Sequence, residues 1–190
     1  MASSINAITT GVGGIVSTGD NSGNLNLQSG GSTKIAVTSA GVAVTGLSKA
    51  SLPTGSVLQV VSAVYNTSTS TTSTAGVTTG LTASITPTSS TSKVLVIYNI
   101  NGVQLTSATN GNLYTDLYRS GSKILNNATG SQFGTGYSPE YSVGLSYLDS
   151  PATTSSTAYD IYFKIGGGSG TAYVQGYSER STITLMEIAA

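Results

Sequence analysis

Between residues 11 and 46 the chain alternates polar and apolar residues in short pieces broken by Gly, Asn and Ser. Asn24-Leu25-Asn26-Leu27-Gln28, Thr33-Lys34-Ile35-Ala36-Val37 and Gly41-Val42-Ala43-Val44-Thr45 each repeat every second residue, the period of a half-buried strand. Gly30-Gly31-Ser32 and Ser39-Ala40 fall between them as tight turns. Strands of about five residues bury little surface, so a segment of roughly forty residues made of them needs a neighbour, either another protein or identical copies. Residues 1–54 are therefore expected to form a β-rich anchoring arm or stem, closed by a linker at 49–54 that contains Pro53. Its apolar contact stripe is Ile15, Leu25, Leu27, Ile35 and Val37.

From residue 55 onward the strands lengthen and become more apolar. Residues 57–65 are rich in β-branched side chains and free of breakers, and 77–86 resume as a strand after a Thr/Ser-rich loop or edge segment at 67–74. Residues 93–101 form the most hydrophobic run and predict a central strand. In 113–119 the alternation puts Leu113, Thr115 and Leu117 on one face and Tyr114, Asp116 and Tyr118 on the other. Ser120-Gly121-Ser122 turns into Lys123-Ile124-Leu125, and further strands are expected at 141–148, 158–165, 172–177 and 181–188. No stretch of ten or more residues combines a helical period with a cap, which leaves at most a helical turn near residues 3–8. Eight to nine strands in about 135 residues argue for a sandwich or jelly roll.

Composition narrows the function classes. Ser and Thr make up about a third of the 190 residues, a bias that by itself suggests disorder, but Leu, Ile, Val and Phe number 43 and the net charge is zero. That apolar share lies above the roughly 20% floor associated with disordered chains, so a folded protein is expected. Charged residues are 7% against roughly 25% in ordinary domains, and neither nucleic acid nor membrane is an expected partner. The N-terminus has no basic segment followed by an apolar core, so no secretory signal is expected, and no apolar run approaches the roughly 18 residues of a membrane span.

With no His and no Cys, the chain has no thiolate metal site and no imidazole to activate its many serines. Asp116, Asp149, Asp160, Glu140 and Glu179 are scattered singly, and are expected as isolated solvated carboxylates in exposed or inter-subunit ion pairs with Arg119, Arg180 and Lys123. Gly11-Val12-Gly13-Gly14 and the glycine run at 166–170 lack the Lys-Ser/Thr and helix of a phosphate loop and are expected as turns. Asp20-Asn21-Ser22-Gly23-Asn24 lacks the acidic count of a calcium loop. No catalytic residue, cofactor or metal is expected. The eleven tyrosines cluster in the C-terminal half, most of them expected at sheet faces and subunit contacts, with Tyr137 and Tyr141 as candidate ligand contacts.

Residues 23–38 with Gly41-Val42-Ala43-Val44-Thr45-Gly46 resemble the short β-repeats of bacteriophage fibre stems. Gly55-Ser56-Val57-Leu58-Gln59-Val60-Val61, Leu81-Thr82-Ala83-Ser84-Ile85-Thr86-Pro87, Ser92-Lys93-Val94-Leu95-Val96 and the closing residues 181–188 are similar to the jelly-roll heads of such fibres and of capsid decorations. The resemblance, to structural proteins of tailed-phage virions, implies an all-β homotrimer: an extended β-arm at 1–54 and an antiparallel β-sandwich, a TNF-like jelly roll, at 55–190. It also implies a place on the particle surface, held through the arm by the major capsid protein or another virion protein. Two roles follow, a capsid decoration or cement protein and a short tail-fibre or receptor-binding protein that contacts host surface glycan. The short stem favours decoration, and the unpaired carboxylates disfavour a sugar-cleaving enzyme.

Overall fold

A computed structural model of the chain describes residues 25–29, 31–45, 52–109, 111–127, 132–133, 140–166 and 169–190. The chain divides into two compact units, Met1–Ser48 and Lys49–Ala190. In the first, β1 (Leu25–Ser29), β2 (Ser32–Thr38) and β3 (Gly41–Val44) form an antiparallel three-stranded sheet in chain order. Ile15 and the expected helical turn near residues 3–8 lie outside the described residues.

The second unit contains β4 (Val57–Tyr65), β5 (Thr69–Thr71), β6 (Val77–Ile85), β7 (Lys93–Thr109), β8 (Gly111–Arg119), β9 (Ser122–Asn127), β10 (Gln132–Phe133), β11 (Tyr141–Asp149), β12 (Thr157–Ile165), β13 (Ser169–Val174) and β14 (Ser181–Ile188). Eight of these carry the architecture. One sheet runs β4-β14-β7-β11 and the other β6-β12-β8-β9, every pairing antiparallel. Counted in chain order, the first sheet is ordered first, eighth, third, sixth and the second is ordered second, seventh, fourth, fifth. That interleaving of two Greek keys is the jelly roll. β13 adds to the far half of β7, β5 adds to β13, and β10 adds to β8.

The core lies between the two sheets and follows the period-two pattern. Leu81, Ala83 and Ile85 of β6, Val94, Val96, Tyr98 and Ile100 of β7, Leu113 and Leu117 of β8, Ile161 and Phe163 of β12, and Ile183 and Leu185 of β14 are all buried there. Each buried Leu, Ile, Val or Phe among them contributes about 1.5–3 kcal/mol by leaving water. Tyr98 and Thr115 join the sheets through hydroxyls 3.1 Å apart.

Two expectations are corrected. The central strand continues eight residues beyond 101: Gly102, at φ +61, lets the backbone turn against Gly176 where a Cβ would collide, and β7 then passes from β14 to β13. The expected strand at 172–177 ends at Val174. Gln175, Tyr177 and Ser178 all have positive φ, and Gly176–Ser178 forms a 3₁₀ turn, because the chain must make an excursion between two strands paired to the same neighbour.

Candidate functional site

Contact surfaces and buried polar groups are the features of this molecule from which a function can be built. The arm sheet comes first. Its register aligns Leu25, Val37 and Val42 in one cross-strand row and Leu27, Ile35 and Val44 in the next. Residues two apart on a strand share a face, so these six apolar side chains form one side of the sheet. Five of the six are exposed, Leu25 by 50%, Leu27 43%, Val37 38%, Val42 67% and Val44 50%, and Ile35 is half-buried. The structure thus brings four of the expected stripe residues together and adds Val42 and Val44, whose strand shows the same alternation.

The outer face of the first jelly-roll sheet is the second surface. Val60, Met186, Leu95 and Leu148 sit side by side on four adjacent strands, making an apolar row straight across the sheet. Val57, Val64 and Ile97 flank it, and Val57, Val60, Val64, Ile97 and Leu148 are all exposed. The next outward row, Ser62, Thr184, Ile97 and Ser146, contains no charge. One residue inward on each strand, the row Gln59, Glu187, Val94 and Asp149 places two carboxylates at the mouth of the core.

The expectation of isolated, solvated acids fails at Asp149 and at Asp116, both buried. Glu187 is fully buried; its Oε1 accepts from the Thr88 amide and hydroxyl at 2.7 Å each, and its Oε2 from Gln59 Nε2 at 2.6 Å. Burial by itself would raise its pKa, but the donors of Thr88 and Gln59 outweigh burial and hold the carboxyl below the ordinary carboxylate value. Asp149 accepts two 2.9 Å hydrogen bonds from Arg119 and one of 2.7 Å from the Tyr159 hydroxyl, so it clasps β8 and β12 of the opposite sheet. Burial first, and then the bond to Asp149 and its charge, push the Tyr159 phenol far above its ordinary range. The ion pairs to Arg119 and Lys123 are as expected, but they are internal to the fold. Nothing in the sequence marked Glu187, since its donors come from residues about a hundred positions away.

The third surface is the outer face of the second sheet. Tyr118 and Tyr162 stack there with ring centroids 4.1 Å apart. Beside them Asp116, buried although it points away from the core, receives Lys123 Nζ at 3.2 Å and Lys164 Nζ at 3.5 Å on the same oxygen, Oδ2. Register explains the meeting: Tyr162 lies opposite Asp116, Lys164 opposite Tyr114, and Asn126 opposite Asp116 on the other side. In front of them opens a cleft of about 330 Å³. Of the expected ligand tyrosines, Tyr137 lies outside the described residues. Tyr141 opens β11 opposite Val103 and is 38% exposed, apart from this cleft's lining.

No protein-family model matches the chain, and no curated protein matches it. Among solved structures it is similar to VP2 of infectious bursal disease virus in a subviral particle, at 14% identity over 70% of this chain and 34% of that one, with a TM-score of 0.40. It is also similar to the Gx strain of that virus, at 15% identity over 70% of this chain and 33% of that one, with a TM-score of 0.40. The chain spans about a third of the length of these viral proteins. The jelly-roll assignment rests on the strand pairings of the chain itself and not on these likenesses.

Proposed function

We propose that the protein is a non-enzymatic structural protein of a bacteriophage virion: a homotrimeric capsid decoration or cement protein, held on the particle surface by its N-terminal arm. The observation that carries this reading is the six-residue apolar face of the arm sheet, which has no core of its own to cover. Burying it against a shell protein removes about 400 Å² from water, a gross gain of about 10 kcal/mol. Association costs of ~4–15 kcal/mol consume most of that gain for one arm. Three arms on one trimer convert a weak contact into a stable one through effective concentration.

The occupant of the apolar row on the first jelly-roll sheet is, on this reading, a second copy of the chain. Its five most exposed residues present about 400 Å², within the ~300–600 Å² of the largest apolar patch on a typical monomer, often a functional one, and half of the ~800 Å² per partner of a standard interface. Lys93, beside Ile188 at one end, is the one charge on the described strands of this face, and so nearly neutral a face fits a copy of equally neutral composition.

The test is antibody labelling of virions of the phage that carries the gene, with wild type and an arm variant, Leu27→Asp with Val42→Asp. Label on the shell with wild type and its loss with the variant is the expected result; label that persists on particles carrying the arm variant refutes the anchor. A second reading, a short tail-fibre or receptor-binding protein that contacts host glycan, draws on the cleft lined by Tyr114 and Asp116. It requires that purified protein compete with phage adsorption to host cells.

A further inference from the structure

We propose that the cleft on the outer face of the second jelly-roll sheet is a saccharide subsite, taking one pyranose ring with adjacent free hydroxyls. The site deepens the glycan-contact reading without requiring it, because a capsid decoration protein with this cleft would bind the same ring. At about 330 Å³ it sits at the lower end of the ~300–1,000 Å³ typical of small-molecule sites, enough for one or two sugar rings.

The lining supplies the three things a sugar ring needs. Asp116, 2% exposed and on the outward side of its strand, presents a carboxylate that accepts hydroxyl hydrogen bonds. Its charge is fixed in place by Lys123 and Lys164, both on Oδ2. Lys164 and Asn126 add donors at the rim, and the Asn126 amide can also accept, so adjacent hydroxyls can each give and receive a bond. Tyr114 supplies an aromatic wall for the ring's C–H face. That wall is set by the backbone: a Cβ at Gly166 would run into the Tyr114 ring, so only glycine there leaves the ring room to stand at the cleft. Lys164 Nζ lies 5.9 Å from the centre of the Tyr114 ring, which ties the donor and the wall together.

Other ligand classes fit less well. A phosphate would sit beside the Asp116 carboxylate and compete with it for the same two ammonium groups, and a purely apolar ligand would strand that carboxylate without hydroxyl donors. A neutral polyhydroxylated ring meets every group with a complementary one.

The experiment is amide-resolved NMR on the full chain, titrated with methyl pyranosides of glucose, galactose, mannose and N-acetylglucosamine to about 50 mM, a range that fills millimolar sites. At least one is expected to shift the Tyr114, Asn126 and Gly166 amides saturably. Asn126→Ala, at an exposed position of β9, should weaken binding about fivefold by removing one hydrogen bond, and Tyr114→Ala about tenfold by removing the wall. Tyr177→Ala, at a residue 83% exposed and not part of the cleft, should leave binding unchanged. No saturable shift with any of the four sugars, or shifts of equal affinity in Asn126→Ala and Tyr114→Ala, overturns the proposal. Either failure leaves the arm anchor standing, since particle labelling reads that separately. Sugar binding without adsorption competition keeps the cleft and removes the receptor reading alone.

Discussion

Glu187→Gln isolates the polar closure of the sandwich with almost no change in shape. The wild-type carboxylate accepts three short bonds, two from Thr88 and one from Gln59. An amide can keep the two from Thr88 on its oxygen, but then its NH2 faces the Gln59 NH2 across 2.6 Å, donor against donor. If Gln59 turns its own amide over, it gives up the 2.7 Å bond to the Thr86 carbonyl and sets oxygen against oxygen. One buried bond is therefore lost and one buried group left unpaired, and the two surviving bonds lose their charge. At about 1–3 kcal/mol for an unsatisfied buried group, plus the difference between charged and neutral bonds, the cost comes to about 3 kcal/mol. For a unit of this size that is a fall in Tm of about 6–12 °C.

The same substitution carries a pH signature. Because the folded pKa of Glu187 lies below its unfolded value near 4.3, its contribution is complete above that value and is lost as pH falls through the folded pKa. Thermal unfolding followed by circular dichroism should show the full deficit at pH 7 and a deficit that narrows below about pH 4, where the unfolded chain takes up a proton that the folded carboxylate still resists. A variant that melts within about 2 °C of wild type at pH 7, or whose deficit is the same at pH 7 and pH 3, would refute the role of this carboxylate.

Four further outcomes are expected. Leu27→Asp with Val42→Asp should leave the melting of the jelly-roll unit unchanged while removing particle binding, as read by co-sedimentation with virions. Val60→Glu with Leu148→Glu places charge in the apolar row and should convert a species of about 57 kDa, three chains of 19.0 kDa, into monomers by light scattering; a wild-type monomer at micromolar concentration would count against the row as a subunit contact. Gly80→Ala puts a side chain at φ +81 and into the Tyr65 ring, and should cost about 2–4 kcal/mol in denaturant unfolding. Tyr159→Phe should cost about 1–2 kcal/mol at pH 7, because Asp149 keeps its bonds to Arg119. Since the folded pKa of Tyr159 is raised, its contribution is complete below about pH 10 and lost as pH rises above it, so the variant should lack that part of the alkaline loss of stability.

The strands were legible because period two is a local property. Residues 57–65 and 181–188 read as strands from β-branching and the absence of breakers, and the structure has them at those bounds. The alternation in 113–119 likewise put Tyr114, Asp116 and Tyr118 on one face. What that pattern could not show is which strand lies alongside. Tyr162 and Lys164 reach the same face only because β12 pairs with β8 in one register, and a shift of a single residue would have turned them into the core. The cleft was invisible for that reason, and the sequence pointed instead to Tyr137 and Tyr141 in a loop-rich stretch.

The carboxylates mark the boundary most plainly. In an amino-acid sequence so poor in charge, lone acids are naturally taken as solvated, because burial of an unpaired charge is costly. Asp149 and Glu187 are nonetheless inside, each with its donors supplied by strands and loops distant in the chain. By itself the sequence determined an all-β chain, the position of nearly every strand, the side of each strand that is apolar, and the absence of imidazole and thiol chemistry. Only the tertiary structure decided the jelly-roll order, the three buried acids, the apolar row across four strands and the cleft beside Tyr114. The physical reason is that alternation is written within one strand, whereas register, partners and desolvation arise between strands that the sequence keeps far apart.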